Sequence, residues 1–259
     1  MFSPFAKHRS MMTIALAIVA VFGVAAQKPP APDDNAGFEA IFDGKTLTNW
    51  DGEPGYWRVE NGTIVGETTP EKVLKVNTFL VWRGGTVKDF ELKAEFRLTP
   101  SANSGIQYRS AILPEVSKWA MKGYQADMDG ANTYTGMVYE ERARAFLAPR
   151  GQFTRMFGGH LLEQMNLASR TIDVRTLKLI ASLGEPDALK AFIKTGSEWN
   201  QIHVIAKGNT LMHFINGHLM AAFNDEDPQG RSMEGLLGLQ LHTGQPMKNE
   251  FRNIYYKKL

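Results

Sequence analysis

The stretch "WNQIHVIAKGNTLMHFINGHLMAAF", residues 199–223, decides how the chain is read. It consists of strand-like runs with period-two alternation, cut by Gly208-Asn209 and Asn216-Gly217. Such pairs mark hairpin turns, because tight turns between antiparallel strands need positive φ, which Gly and Asn tolerate. Asn61-Gly62 marks a third turn, inside "YWRVENGTIVGE". Working outward, the same alternation recurs in "TFLVWRGG", "DFELKAEFRL", "SGIQYRS", "GYQADMD", "GMVYE", "GLLGLQLH" and "EFRNIYYKKL". Many short strands with few long helical patterns predict an all-β, antiparallel sandwich or barrel.

Two segments depart from the pattern. "EPDALKAFIKTG" (185–196) predicts a short helix: Pro186 suits a first turn, Leu189, Phe192 and Ile193 fall on one face, and Gly196 stops it. Within 150–182, "HLLEQMNLASR" fits a helix and "TIDVRTLKLIASL" a strand pair, so no element is assigned there. No internal repeat is visible, and one domain over residues 38–259 is the economical organisation.

Residues 1–26 carry a basic start (Lys7, His8, Arg9), an apolar run and small residues Val24 and Ala26 before Gln27, the pattern of a cleaved secretory signal peptide. The apolar run is short against the roughly 20 residues of a spanning helix, and no later run approaches that length. A flexible Pro-rich lead-in, residues 27–37, is expected to follow. The whole chain has a formal charge of +2, and losing Lys7 and Arg9 with no acidic residue leaves residues 27–259 neutral. A neutral chain has no basic excess for phosphates, so nucleic acid is not an expected partner. The chain has no cysteine, which excludes disulfides, thiolate metal sites and a Cys nucleophile.

The chemistry-bearing residues gather on two single strands and one hairpin. In "GLLGLQLH", Leu237, Leu239 and Leu241 share one face, while Gln240 and His242 lie on the other. "NSGIQYRS" places Gln107 and Arg109 opposite Ile106 and Tyr108. The hairpin "GYQADMDGANTYTGMVYEERAR" (123–144) carries Gln125, Asp127, Glu140, Glu141 and Arg142. Pairing Met128 with Met137 would set Gln125 opposite Glu140, with Asp127 diagonal and Arg142 following on the same face. A slip of one residue would reverse that hairpin's faces. Amides, carboxylates and a guanidinium on one surface suit the hydroxyls of a sugar, with Trp and Tyr available to stack on a pyranose ring. There is no nucleophile elbow, phosphate loop, dinucleotide fingerprint or HExxH pattern. His203, His213 and His218 lie on neighbouring runs, where alternation favours surface or core histidines over a metal site.

The motifs "FDGKTLTNW", "WRVENGTIVGE", "EFRL", "NSGIQYRS", "GYQADMD", "VYEERAR", "AKGN", "INGH", "GLQLH" and "FRNIYYKKL", in this order, resemble the bacterial 3-keto-disaccharide hydrolase family. The resemblance spans nearly all of residues 38–259. It implies a concanavalin A-like jelly roll with ligand on the concave face, and periplasmic or secreted carbohydrate processing beside an oxidoreductase that makes a sugar C3 ketone. A 3-keto glycoside can lose its C1 substituent by proton removal at C2, elimination and hydration. On that expectation His242 or Glu140 is the base, Arg109 or Arg142 with Gln125 steadies the enolate, and Asp127 or Glu141 assists departure. Gln107 and Gln240 complete the expected substrate-binding set. No cofactor is assigned, a divalent cation being the one candidate. Ordinary glycoside hydrolysis by Asp127 with Glu140 or Glu141, and a non-catalytic carbohydrate-binding module, are the alternatives. The stretch "QFTRMFGGHLLEQMNLASRTIDVRTLKLI" departs from the family pattern, and "EERARAF" has Ala143 where "EERGRG" is expected.

Overall fold

Asn61-Gly62 (φ 50° and 77°) and Asn216-Gly217 (φ 49° and 82°) take the left-handed conformation their residue types allow. They join Trp57–Glu60 to Thr63–Thr68 and Thr210–Ile215 to His218–Glu226 as antiparallel hairpins. Gly208 (φ 56°) turns Asn200–Lys207 into Thr210–Ile215 in the same way. The structure, a computed structural model, describes Met1 and residues 35–157, 160–161, 172–173 and 176–259. The expected signal peptide and most of the lead-in lie outside the described residues.

Among the described residues the strands form an antiparallel jelly-roll sandwich of two large sheets. One runs Thr176–Ser182, Gln152–Phe157, His218–Glu226, Thr210–Ile215, Asn200–Lys207, Phe90–Leu98, Met247–Lys258, Thr63–Thr68, Trp57–Glu60. Its Gln152–Phe157 strand pairs in parallel with His218–Glu226, an exception to the antiparallel rule. The other sheet, which carries the site, runs Ala145–Ala148, Val138–Glu141, Met121–Asp129, Asn103–Ile112, Gly235–Leu241, Thr78–Val87, Trp50–Asp51. Between them lies the core: Tyr108, Tyr124, Ala126, Met128, Leu237, Leu239 and Leu241 face Phe90, Leu92, Ile202, Val204, Leu211 and Phe223. Each Leu, Ile, Val, Met or Phe among them stabilises the fold by roughly 1.5–3 kcal/mol relative to exposure, which is why alternation so strongly sets which face turns inward.

The segment left open in the sequence supplies the edge strand Thr176–Ser182 and its neighbour Gln152–Phe157, and residues 162–170, most of the helical alternative, lie outside the described residues. The predicted helix is shorter than 185–196. It spans Pro186–Lys190 and buries Leu189, while Phe192 is exposed and stacks on His218 at 3.5 Å between ring centroids. No helix among the described residues is long and apolar enough to cross a membrane.

The face of the second sheet turned away from the core is divided in two. The connection 113–120 runs across part of it, and Phe79 N–H donates to the Trp119 carbonyl (3.0 Å). Beneath it Phe79, Val81 and Met121 form a separate buried cluster with Ile112 and Leu236. Gly238 makes that approach feasible, since a Cβ there would stand 2.6 Å from the Met121 sulfur. The remaining half is open and contains the cleft.

Candidate active site

The hairpin register differs by one residue from the Met128–Met137 expectation. Gln125 pairs with Tyr139, Tyr124 with Glu140 and Ala126 with Val138. Because side chains alternate, the slip exchanges the hairpin's faces: Tyr139 and Glu141 join Gln125 and Asp127 in the cleft, and Glu140 points inward. The burial of Val138 against the core outweighs the apolar match of Met128 with Met137.

Glu140 is therefore a core residue and not a cleft residue. It pairs with Arg144 (Nε to Oε2, 2.5 Å), whose guanidinium also reaches Asp225 (2.6 Å) and Asp227 (3.3 Å). Tyr124 closes the network by donating to Asp225. Burial would lower the Arg144 pKa, but the hydrogen bonds it donates to the Asp225 and Glu140 carboxylates outweigh that and hold the guanidinium more firmly protonated than usual. This cluster anchors the second strand of the hairpin and thereby sets Glu141 on the opposite face.

Arg109 is also redirected. The register breaks between Tyr108 and Ala111, and Arg109 adopts φ 48°. This β-bulge turns its side chain away from the face that simple alternation gives. The guanidinium is buried against the Lys88 and Gly208 carbonyls (both 2.7 Å) and Asp89 (3.0 Å). Gln107 keeps the expected face but is fully buried, its amide 3.0 Å from that of Gln125. Arg142 stays partly exposed 3.8 Å from Glu141, outside the cleft lining.

The cleft, of ≈ 200 Å³, is lined by Asn103, Gln125, Asp127, Tyr134, Tyr139, Glu141, Phe146, Gln240 and His242. Gln125, Asp127, Glu141, Gln240 and His242 of the sequence-predicted set meet here. Gly105 leaves room for the floor, since a Cβ would lie 2.4 Å from Gln125. Gln125 donates to Asp127 Oδ1 (3.1 Å) and lies 3.4 Å from the Gln240 amide oxygen. Glu141 accepts from Asn77 (3.1 Å) and Gln240 (3.5 Å).

Two groups have the properties of an acid and a base. Burial pushes the Asp127 pKa up to about 8, the negative charges of Asp129 and Glu141 add to that effect, and the Gln125 hydrogen bond opposes it. Asp127 is thus a neutral carboxylic acid at pH 7, able to donate a proton. His242 Nδ1 lies 2.5 Å from the Thr243 carbonyl. A carbonyl only accepts, so Nδ1 carries the hydrogen and Nε2 is left as the basic nitrogen. Thr243 is itself held by Asn77 Oδ1 (3.0 Å from the Thr243 N–H), so Asn77 ties the His242 loop to Glu141.

Asn77, Asn103, Tyr134, Tyr139 and Phe146 are the site residues that strand-by-strand reading missed. Tyr139 was accessible in principle, being two residues from Glu141 on the same strand. Asn77 has no local signature; it meets Glu141 and Thr243 only through the fold. Other candidates disperse. His203 bonds Glu91 (2.9 Å), His213 is buried between Tyr108 (2.8 Å) and the Met137 carbonyl, and His218 stacks on Phe192. Among the described residues no three His, Asp or Glu side chains are grouped to hold a metal ion.

Beside the cleft, Ala145 adopts φ 62°, a conformation costing an L residue with a Cβ roughly 1–2 kcal/mol. The pattern "EERGRG" carries glycine at this place. Ala145→Gly should raise stability in urea unfolding by about 0.5–1 kcal/mol, since relief of strain exceeds the added freedom of the unfolded chain. A loss of similar size would show that the turn is not strained.

Comparison with solved structures finds the same fold in two glycosyl hydrolase-like proteins from Parabacteroides distasonis ATCC 8503. One is 20% identical with TM-score 0.52, covering 86% of this chain and 94% of the other. The second is 15% identical with TM-score 0.52, covering 86% and 99%. The carbohydrate-binding module CBM66 from Bacillus subtilis aligns at 14% identity and TM-score 0.49 over 81% and 96%. Among curated proteins none matches the chain. A family model described as the 3-keto-alpha-glucoside-1,2-lyase-like domain matches residues 37–257. Carried by a jelly roll whose open sheet face holds an amide-lined, acid-bearing cleft, the chain belongs to the 3-keto-alpha-glucoside-1,2-lyase-like family and is a carbohydrate-active protein.

Proposed function

We propose that the protein cleaves 3-keto-glucosides by elimination across C1 and C2 followed by hydration. The observation that carries this reading is the pairing, in one cleft, of a carboxylic acid neutral to about pH 8 (Asp127) with an imidazole whose Nε2 is basic (His242). His242 Nε2 takes the C2 proton, acidified by the C3 carbonyl, and the electron pair moves to the C3 oxygen. The Gln125 and Gln240 amides are the donors available to that oxygen. When the enolate collapses, the C1–O bond breaks and Asp127 protonates the departing oxygen. Water then adds to the enone, its hydroxyl going to C1 and its proton to Asp127, while His242 returns the first proton to C2. Glu141, held by Asn77 and Gln240, contributes the charge that helps keep Asp127 protonated.

This reading takes residues 1–26 as a secretory leader and the protein as periplasmic or secreted. Its substrate requires an upstream oxidation of a sugar C3 hydroxyl to the ketone. The test compares p-nitrophenyl α-glucoside with its 3-keto derivative, with and without a chelator to report any divalent cation. Release of nitrophenol only from the ketone is expected, with His242→Ala lowering kcat/KM by roughly 10²–10⁴-fold and abolishing C2 proton exchange with solvent. Comparable cleavage of the plain glucoside would replace elimination with hydrolysis by Asp127 and Glu141. Sugar binding without turnover of either would make the protein a binding module.

A further inference from the structure

The order of strands across the open face is also an order of chemical groups. His242 follows the Gly235–Leu241 strand; next come Asn103–Ile112, then Met121–Asp129 with Asp127, Val138–Glu141 with Tyr139, and at the edge Ala145–Ala148 with Phe146. Adjacent strands lie about 4.8 Å apart, so two spacings, roughly 10 Å at the backbone, separate the strands of Asp127 and His242, whose side chains line the same cleft. Beyond Asp127 the cleft continues for a similar distance, over Tyr139 to Phe146. Phe146 stacks with Tyr134 (centroids 5.6 Å, planes at 27°) and meets Tyr139 edge-on (5.1 Å, 64°). Tyr134 and Phe146 remain 37% and 44% exposed although both line the cleft.

We propose that Phe146, with Tyr134 and Tyr139, forms the leaving-group subsite, and that it selects substrates whose C1 substituent is itself a ring, a pyranose or an aryl group. The inference rests on the elimination reading above. With C2 at His242 and the C1–O bond at Asp127, the substituent on that oxygen continues along the same line, onto the aromatic surface. It cannot turn toward the other half of the sheet face, which is filled by Phe79, Val81, Met121 and the 113–120 connection. Aromatic faces stack on the C–H face of a pyranose or on an aryl ring and gain little from a methyl group. The left-handed turn at Ala145 immediately precedes Phe146, whose ring meets Tyr139 edge-on, so backbone strain lies at the point where the surface is built.

The test measures kcat/KM for the 3-keto derivatives of methyl glucoside, p-nitrophenyl glucoside and a glucosyl-glucose disaccharide. In Phe146→Ala and Tyr134→Ala the ratio of each ring substrate to the methyl substrate should fall roughly three- to tenfold, the effect of losing one stacking contact. The loss should appear mainly in KM, and Phe146→Trp should keep the ratio. A drop for the nitrophenyl substrate alone assigns the subsite to aryl groups, and a drop for both assigns it to rings generally. Unchanged ratios in both alanine variants would overturn the proposal. If the wild-type protein cleaves none of the three ketones, the elimination reading fails instead. The subsite is then judged by calorimetric binding of p-nitrophenyl glucoside, expected to weaken in Phe146→Ala and overturning the proposal if unchanged.

Discussion

Asp127→Asn should yield a protein that is more stable and nearly inactive. The sign follows from proton counting. In the unfolded chain this carboxyl ionises near its ordinary value of 3.8, whereas in the fold it holds its proton to about 8. Between those values the native state binds more protons than the unfolded state, so stability falls as pH rises from about 4 to about 8 and is level beyond. Asparagine cannot ionise, and its amide can still pair with Gln125. The variant should therefore lose this pH slope and gain roughly 2–4 kcal/mol at pH 7, measured by urea unfolding across pH. Activity should drop by about 10²–10⁴-fold for a sugar leaving group, which needs its oxygen protonated, and less for nitrophenol, which leaves as an anion. In the wild-type protein kcat/KM should decline as pH rises through about 8. Full activity on the disaccharide ketone, or a loss of stability at pH 7, would rule out a neutral acid at this position.

Arg144→Ala should cause the largest loss of stability of any substitution considered. The guanidinium side chain is 4% exposed and contacts Glu140, Asp225 and Asp227, all within the core. Removing it leaves buried carboxylates without this cation, a situation that costs about 3–5 kcal/mol where it has been measured. Arg144→Lys should recover part of the loss, because an ammonium supplies charge but cannot fork between Glu140 and Asp225. Glu140→Gln should likewise register in unfolding midpoint before it registers in catalysis, since Glu140 does not face the cleft. A change below about 1 kcal/mol in Arg144→Ala would mean that the network is solvated and that Glu141 is positioned by something else.

Alternation alone puts Glu140 and Arg109 in the cleft, and the fold moves both by changing the count along a strand. A strand's two faces are legible in sequence, but which face a hairpin turns inward depends on register, and one residue reverses it. The sequence around 123–144 offers apolar residues on both sides of the turn, Met128 and Met137 in one register, Ala126 and Val138 in the other. Burial of Val138 favours the second, and Arg144, which binds Glu140 and reaches Asp225 and Asp227 some 80 residues away, gives Glu140 a buried partner in that register. Arg109 is misread for a related reason: a bulge inserts a residue into the count, and nothing in "YRSA" marks a left-handed residue as glycine would.

What the chain states locally is its all-β character, its hairpin turns and the leucine face of Gly235–Leu241. These depend on alternation and on the φ values that Asn and Gly permit, which involve only near neighbours. The identity of Gln125, Asp127, Gln240 and His242 as one polar surface was readable for the same reason. The acidity of Asp127, the tautomer of His242, the link through Asn77 and the aromatic edge at Phe146 arise only on folding. Each depends on burial or on a contact between residues distant in sequence, and a linear string carries neither dielectric nor distance.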